Sequence, residues 1–122
     1  MERGEGKGMT GKGRRVRVYF GESDRLGGRP LSHVLLEALR RRGAAGATIF
    51  HGQASFGAQS LANASTEIDV SSDLPLVLEW IDTPERVSAL LPQIAAMVDG
   101  GLVTSEDVEI HRYSAHDATG RH

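Results

Sequence analysis

The run Leu76-Val77-Leu78-Glu79-Trp80-Ile81 constrains this chain more than any other stretch. Successive side chains of a strand point to opposite faces. Here both faces are largely apolar: Leu76, Leu78 and Trp80 on one, Val77 and Ile81 on the other. A strand of that kind belongs in the interior of a sheet, covered on both sides. Glu79 is the exception. Its expected role is a cross-strand pair with Arg15 or Arg17, and the sharper alternative is a ligand contact.

An interior strand needs neighbours, and the chain supplies them. Residues 14–20 alternate, with Val16, Val18 and Phe20 on one face and Arg15, Arg17 and Tyr19 on the other, as in a half-buried strand. After Pro30, which suits a first helical position, Leu31, Val34, Leu35, Ala38 and Leu39 recur at helical spacing. Arg40, Arg41 and Arg42 fill the last turn, where cations suit the helix dipole, and Gly43 fits the place just beyond it. The triplet reads as a solvated helix end or as a contact for an anion or partner. Residues 46–52 read as a second strand.

Thr83-Pro84 opens a second helix, a capping residue followed by proline. Val87, Leu90, Leu91, Ile94, Ala95 and Val98 form its apolar stripe, and Pro92 within it is expected to kink or loosen the helix. Asp99-Gly100-Gly101 ends it, and Val103 leads to a fourth strand over residues 107–113. The order strand, helix, strand, long connection, strand, helix, strand is that of an α+β, ferredoxin-like βαββαβ fold with an antiparallel four-stranded sheet. Both helices then cover one face. Tyr19, Val77 and Ile81 fall on the other, which predicts self-association.

These elements make one domain over residues 14–113. Residues 1–13 are glycine-rich and almost without apolar side chains, and read as a disordered N-terminal tail. Residues 114–122 read as a loose C-terminal tail. A chain of 122 residues buries roughly 65–70% of its unfolded surface, enough for a core without metal or disulfide staples. It has no cysteine, which excludes disulfides, thiolate nucleophiles and cysteine-rich zinc sites and suits a reducing cytoplasm. No apolar run approaches the roughly 20 residues of a membrane span, so no membrane insertion is expected. The net charge of −2 divides into +3 over the first fifteen residues and −5 over the rest, and an acidic body argues against nucleic-acid binding.

The connection over residues 53–73 is long for so small a domain, and such loops are usually functional. It is small and polar apart from Phe56-Gly57, which either tucks onto the core or anchors a partner. Residues 66–70 alternate and are compatible with a small extra strand. Residues 21–28 follow a strand and precede a helix, so a phosphate-cradling loop is one reading and a structural connection the other. The spacing fits neither dinucleotide nor P-loop fingerprints, and Glu22 and Asp24 disfavour phosphate. His33, His51, His111, His116 and His122 show no ligand spacing for a metal. In this topology His51 and His111 sit on opposite sheet edges. No serine lies in a nucleophile motif, so no catalytic set is assigned and no enzyme is expected.

The segments Arg17-Val18-Tyr19-Phe20-Gly21-Glu22-Ser23-Asp24, Gly28-Arg29-Pro30-Leu31, Gly46-Ala47-Thr48-Ile49-Phe50-His51-Gly52, Phe56-Gly57, Leu74-Pro75-Leu76-Val77 and Gly101-Leu102-Val103-Thr104 resemble, in this order, one family. It is the PII-like proteins of the domain-of-unknown-function subgroup, relatives of the PII nitrogen-regulatory proteins. The resemblance spans about residues 14–113. It implies a ferredoxin-like fold, a homotrimer with sheets facing inward, and a T-loop-like segment at about 53–73 that contacts a protein partner such as a transporter or enzyme. It also implies clefts between subunits that hold a small effector, with adenine nucleotide as the family's example. On this basis the ligand-binding residues are Gly21, Glu22, Ser23, Arg25, Gly52, Phe56, Gly57, Gly100, Gly101 and Arg112. No cofactor is named. The sequence departs from the family where a Gly-Asp-Gly-Lys segment would precede the last strand: residues 100–107 hold no lysine and two carboxylates, Glu106 and Asp107. Residues 52–73 also lack tyrosine, the acceptor for PII-type uridylylation. The expected function is non-enzymatic regulation through the loop. The alternative is a trimeric metal-ion or small-molecule binder of the copper-tolerance CutA type, without a protein partner.

Overall fold

A computed structural model of the chain describes residues 8–53 and 73–114. In chain order the elements are β1 (Gly8–Gly21), β2 (Arg25–Leu26), β3 (Arg29–Pro30), α1 (Leu31–Arg41), β4 (Thr48–His51), β5 (Pro75–Asp82), α2 (Pro84–Ala96) and β6 (Leu102–Ser114). The main sheet has the order β4-β5-β1-β6 with every pair antiparallel. This is the expected ferredoxin-like sheet.

Alternation along the two inner strands builds the core. Val16, Val18 and Phe20 of β1 stand opposite Trp80, Leu78 and Leu76 of β5, and all six are buried. Leu31, Leu35, Ala38 and Leu39 of α1 and Val87, Leu90 and Ile94 of α2 close over them. Each large apolar side chain removed from water contributes about 1.5–3 kcal/mol before chain entropy is set against it. The leucine-to-tryptophan run is therefore interior within the sheet, as expected. Helices cover only one of its faces, however. Val77, Glu79 and Ile81 remain half-buried on the other.

Asp82 is the one buried charged residue of the described core. Its carboxylate accepts from the Trp80 indole N–H (2.9 Å), the Ala45 N–H (2.9 Å), the Thr83 N–H (2.9 Å) and the Arg86 guanidinium (2.8 Å). One side chain thus joins the end of β5, the connection before β4 and the first turn of α2. The expected start of α2 is present: Thr83 Oγ1 accepts from the Arg86 N–H at 3.2 Å, and Pro84 follows it. The helix continues through Pro92, because Pro92 and Ser88, whose carbonyl would lose its partner, are both exposed to water.

At the end of α1, Gly43 adopts φ +84°, its N–H donates to the Arg40 carbonyl (3.2 Å), and the Ala44 N–H donates to Leu39 (3.0 Å). That is a Schellman ending and bears out the role given to Gly43. Pro30 is the N-cap rather than the first helical residue. Leu31 instead donates to the Asp24 carbonyl at 2.8 Å.

Three boundaries differ from the sequence reading. β1 begins at Gly8, so residues 8–13 belong to the sheet and not to a disordered tail. β6 begins at Leu102 rather than residue 107. Both extensions belong to the β1–β6 ladder, which runs from Gly8↔Ser114 to Tyr19↔Leu102: residues 8–13 pair with the far end of β6, and residues 102–106 pair with residues 15–19 of β1. Partners so remote in sequence leave no local pattern. The glycines that hid the strand also permit its shape: a Cβ on Gly13 would run into the Ile110 side chain. Third, residues 21–30 contain the short β2–β3 hairpin. Phe56, Gly57, the possible strand at 66–70 and residues 115–122 lie outside the described residues.

Candidate functional site

Several of the residues singled out converge at one end of the sheet. The β1–β5 ladder ends at Gly21↔Pro75. It is prolonged by Glu22 N–H to the Leu74 carbonyl (2.9 Å) and by Ser23 N–H to Asp73 Oδ1 (2.7 Å). On the other side of β5, Gly52 N–H donates to the Pro75 carbonyl at 2.8 Å. Both limbs of the long connection are therefore tied down at this end, Gly52 to β5 and residues 73–74 to the chain leaving β1. Gly101 lies at the same end, against β1: a Cβ there would come within 2.5 Å of the Tyr19 carbonyl oxygen. Gly100 turns the chain before it with φ +82°.

At Gly21 and Gly52 a side chain would have to displace a neighbour. A Cβ on Gly21 would overlap Asp73 Oδ2, and one on Gly52 would sit 2.8 Å from the Pro75 ring. Asp24 folds back, its Oδ2 accepting from the Gly21 N–H at 3.1 Å. The end is thus acidic, with Glu22, Asp24 and Asp73 close together in the chain path, and two of its carboxylates accept backbone N–H groups. Asp73 was not among the residues singled out. Its only sequence signal is its position where the long connection rejoins β5.

Two of the expected site residues stand apart. Arg25 lies in β2, with its guanidinium 3.5 Å from the Gly28 carbonyl of its own hairpin. Arg112 lies near the opposite end of β6, beside the Met9↔Tyr113 pair. Within one chain it cannot meet the Gly21, Gly52 and Gly101 group.

The sheet face away from the helices is ordered in rows. Phe50, Val77, Tyr19 and Leu102 are successive cross-strand partners on β4, β5, β1 and β6. They form an apolar row next to the loop end, with Phe50 50% and Leu102 56% exposed. The next row is Thr48, Glu79, Arg17 and Thr104. In it Arg17 Nε donates to Glu79 at 3.0 Å, the expected pair. The Glu79 hydrogen bond, and then that of Tyr19, holds the Arg17 guanidinium above its ordinary value.

Beyond lie Ile81, Arg15 and Glu106. There the β1–β6 ribbon and the connection before β4 enclose a groove of about 730 Å³ lined by Arg15, Ile81, Ile110, Arg112 and Tyr113 among others. Tyr113 closes it by donating its hydroxyl to the Ala45 carbonyl at 2.8 Å. Arg15 donates to Glu106 at 2.5 Å, while its buried Nε has no partner among the described residues. His51 and His111 occupy opposite sheet edges. No cluster of three or more metal-ligating side chains occurs among the described residues, and no described helix is long and apolar enough to cross a membrane.

Comparison with known proteins agrees with this fold. Residues 13–110 match the DUF190 family, described as Uncharacterized ACR, COG1993. A UPF0166 protein of Aquifex aeolicus (strain VF5) is 34% identical over 95 residues, covering 78% of this chain and 90% of that protein. A UPF0166 protein of Methanocaldococcus jannaschii is 24% identical over 110 residues, covering 87% and 98%. Among solved structures, CPII bound to ADP, AMP and acetate, from Thiomonas intermedia K12, superposes with a TM-score of 0.57 at 16% identity, covering 84% of this chain and 91% of that one. A putative PII-like signaling protein from Thermus thermophilus gives 0.54 at 20% identity, covering 82% and 90%. The chain belongs to the DUF190 family and has the fold of the PII-like proteins.

Proposed function

From that membership, we propose that the protein is a PII-like regulator. It binds a small anionic effector of the adenine-nucleotide class in clefts between subunits of a homotrimer. It reports occupancy to a protein partner through residues 53–73. The observation that carries this reading is the tying of both limbs of the long connection at one end of the sheet, Gly52 to Pro75 of β5 and Asp73 to Ser23 just beyond β1. An effector that touches this end is mechanically coupled to the segment that leaves it, and its differential affinity for two loop arrangements would set their populations.

The apolar row Phe50, Val77, Tyr19 and Leu102 supports self-association through the uncovered sheet face. The buried Nε of Arg15, without an acceptor among the described residues, is also explained if a neighbouring subunit or an effector supplies one. On this reading, Arg112 of one subunit serves the Gly21, Gly52 and Gly101 end of another. The nucleotide complexes of CPII support the effector class. The acidic character of residues 100–107 here, without a lysine, makes a diphosphate or monophosphate a better candidate than a triphosphate.

The test is isothermal titration of AMP, ADP and ATP into the purified protein, with limited proteolysis over residues 53–73 in parallel. Saturable binding together with altered cleavage is expected. Absence of both across the nucleotides and a wider metabolite set overturns the reading. Regulatory rather than catalytic action predicts that bound nucleotide is recovered unchanged.

A further inference from the structure

The outer surface of α1 and of the hairpin before it is basic on a protein that is otherwise acidic. Residues 25–46 hold five arginines, Arg25, Arg29, Arg40, Arg41 and Arg42, against one acid, Glu37. That is +4 in a chain of net −2, leaving −6 for everything else. The fold aligns these charges. Arg29, from the hairpin, donates to Glu37 at 2.9 Å, and Arg41 lies 3.5 Å from the same carboxylate. The hairpin and the last turn of α1 are therefore linked along one side of the helix, where residues 33, 37, 40 and 41 fall by helical spacing. His33 and Arg40 are exposed there, and the Arg41 side chain is 73% exposed. Neither Arg40 nor Arg42 has a carboxylate partner among the described residues.

The tip of the hairpin adds a different group. Leu26 is 40% exposed and pairs across the turn with Arg29, next to Arg25. Gly27 and Gly28 form the turn with φ +61° and +79°, the left-handed pair that a two-residue hairpin loop demands. A Cβ at either would meet nothing within 4 Å. The tip therefore stands clear of the described protein, and it presents a leucine between two arginines.

We propose that this face docks on an anionic lipid bilayer, with α1 lying along the headgroups and Leu26 entering the headgroup–acyl boundary. Charge complementarity argues for an anionic partner. Its form is argued by the rest of the face. The groove lined by Arg15 and Tyr113 lies on the opposite side of the sheet, whereas this surface is the convex outside of a helix, suited to a broad partner rather than a small ligand. Residues 25–46 contain no Phe, Tyr or Trp on which a nucleic-acid base could stack. Basic residues around a projecting leucine are the pattern of interfacial anchoring. The inference is independent of the effector reading above.

The test is co-sedimentation of the full chain with phosphatidylcholine vesicles, with and without about 30% phosphatidylserine, over a range of salt. Partition onto the anionic vesicles only, lost as salt rises, is expected. The R40E/R41E double variant should weaken it at least about tenfold. L26S should weaken it further while leaving the salt dependence unchanged. Unaltered thermal melts of the variants separate lost docking from lost folding. No pelleting at low salt, equal pelleting with neutral vesicles, or indifference to R40E/R41E overturns the proposal. So does binding to a duplex oligonucleotide or to polyglutamate without binding to vesicles.

Discussion

The Trp80 indole donates to the carboxylate of Asp82 at 2.9 Å, two residues along the same strand and both fully buried. Side chains two apart lie on one face of β5, so the bond holds the acid at the helix-covered end of the strand. There the same carboxylate collects Ala45, Thr83 and Arg86. Asp82→Ala leaves four donors without their acceptor and the Arg86 charge without its partner. The expected loss is about 3–5 kcal/mol, the range for breaking one side of a buried pair. Asp82→Asn should cost less, because an amide oxygen still accepts. Urea unfolding of the two variants checks the order.

Gly21 and Asp73 make a second dependent pair. Gly21→Ala puts a methyl where Asp73 Oδ2 lies, so the carboxylate must leave the Ser23 N–H. A cost of about 1–3 kcal/mol is expected from the backbone donor left without its acceptor. Faster hydrogen exchange at Ser23 should report the event directly. Asp73→Ala should reproduce that exchange without the steric strain. Normal exchange at Ser23 in both variants would sink the pairing.

The pair of Arg17 and Glu79 should contribute little to the stability of one subunit. The Arg17 side chain is 38% exposed and that of Glu79 19%, and such solvent-screened pairs contribute little in water. A double-mutant cycle with Arg17→Met and Glu79→Gln should return little or no coupling in the monomer. It should return a larger one if self-association removes water from the face.

Leu102→Asp or Phe50→Asp alters an exposed position of the apolar row and leaves the buried core intact. If this face joins subunits, sedimentation velocity should show the variant as a folded single chain at concentrations where the parent is associated. A parent that already sediments as a single chain at micromolar concentration removes the intersubunit cleft from the proposal.

Glu37 contributes a pH dependence of known sign. Its hydrogen bond from Arg29, with the charges of Arg29 and Arg41 behind it, holds its carboxyl below the usual carboxylate range. A group whose folded pKa is depressed stabilises the folded state above its unfolded pKa, and loses that contribution as pH falls through the folded value. Glu37→Gln should lower stability slightly at neutral pH, where the contribution is fully present, and converge with the parent as pH falls below the ordinary glutamate range, so that its acid limb is flatter. Chemical denaturation at several pH values decides this.

Much of the fold was legible because its signals are local. The two-residue period of Val16, Val18 and Phe20, the helical spacing from Leu31 to Leu39, the Thr83-Pro84 start and the Gly43 stop each depend on neighbours a few residues away. The order of those elements then leaves the ferredoxin-like sheet as the arrangement that buries every apolar face but one. The Arg17–Glu79 pair was half legible: the charges called for each other, but the register chose Arg17 over Arg15, which went to Glu106.

Of the candidate site, the family resemblance pointed to Gly21, Glu22, Ser23, Gly52, Gly100 and Gly101, and these are spread along one end of the sheet. Asp73 over Gly21, the separation of Arg112 from that group and the strand hidden in residues 8–13 were decided by the tertiary structure alone. Each rests on contact between segments far apart in the chain. Local propensity cannot encode such contacts: glycine carries no side chain to announce a pairing, and a carboxylate's partner is set by where the strands are brought together.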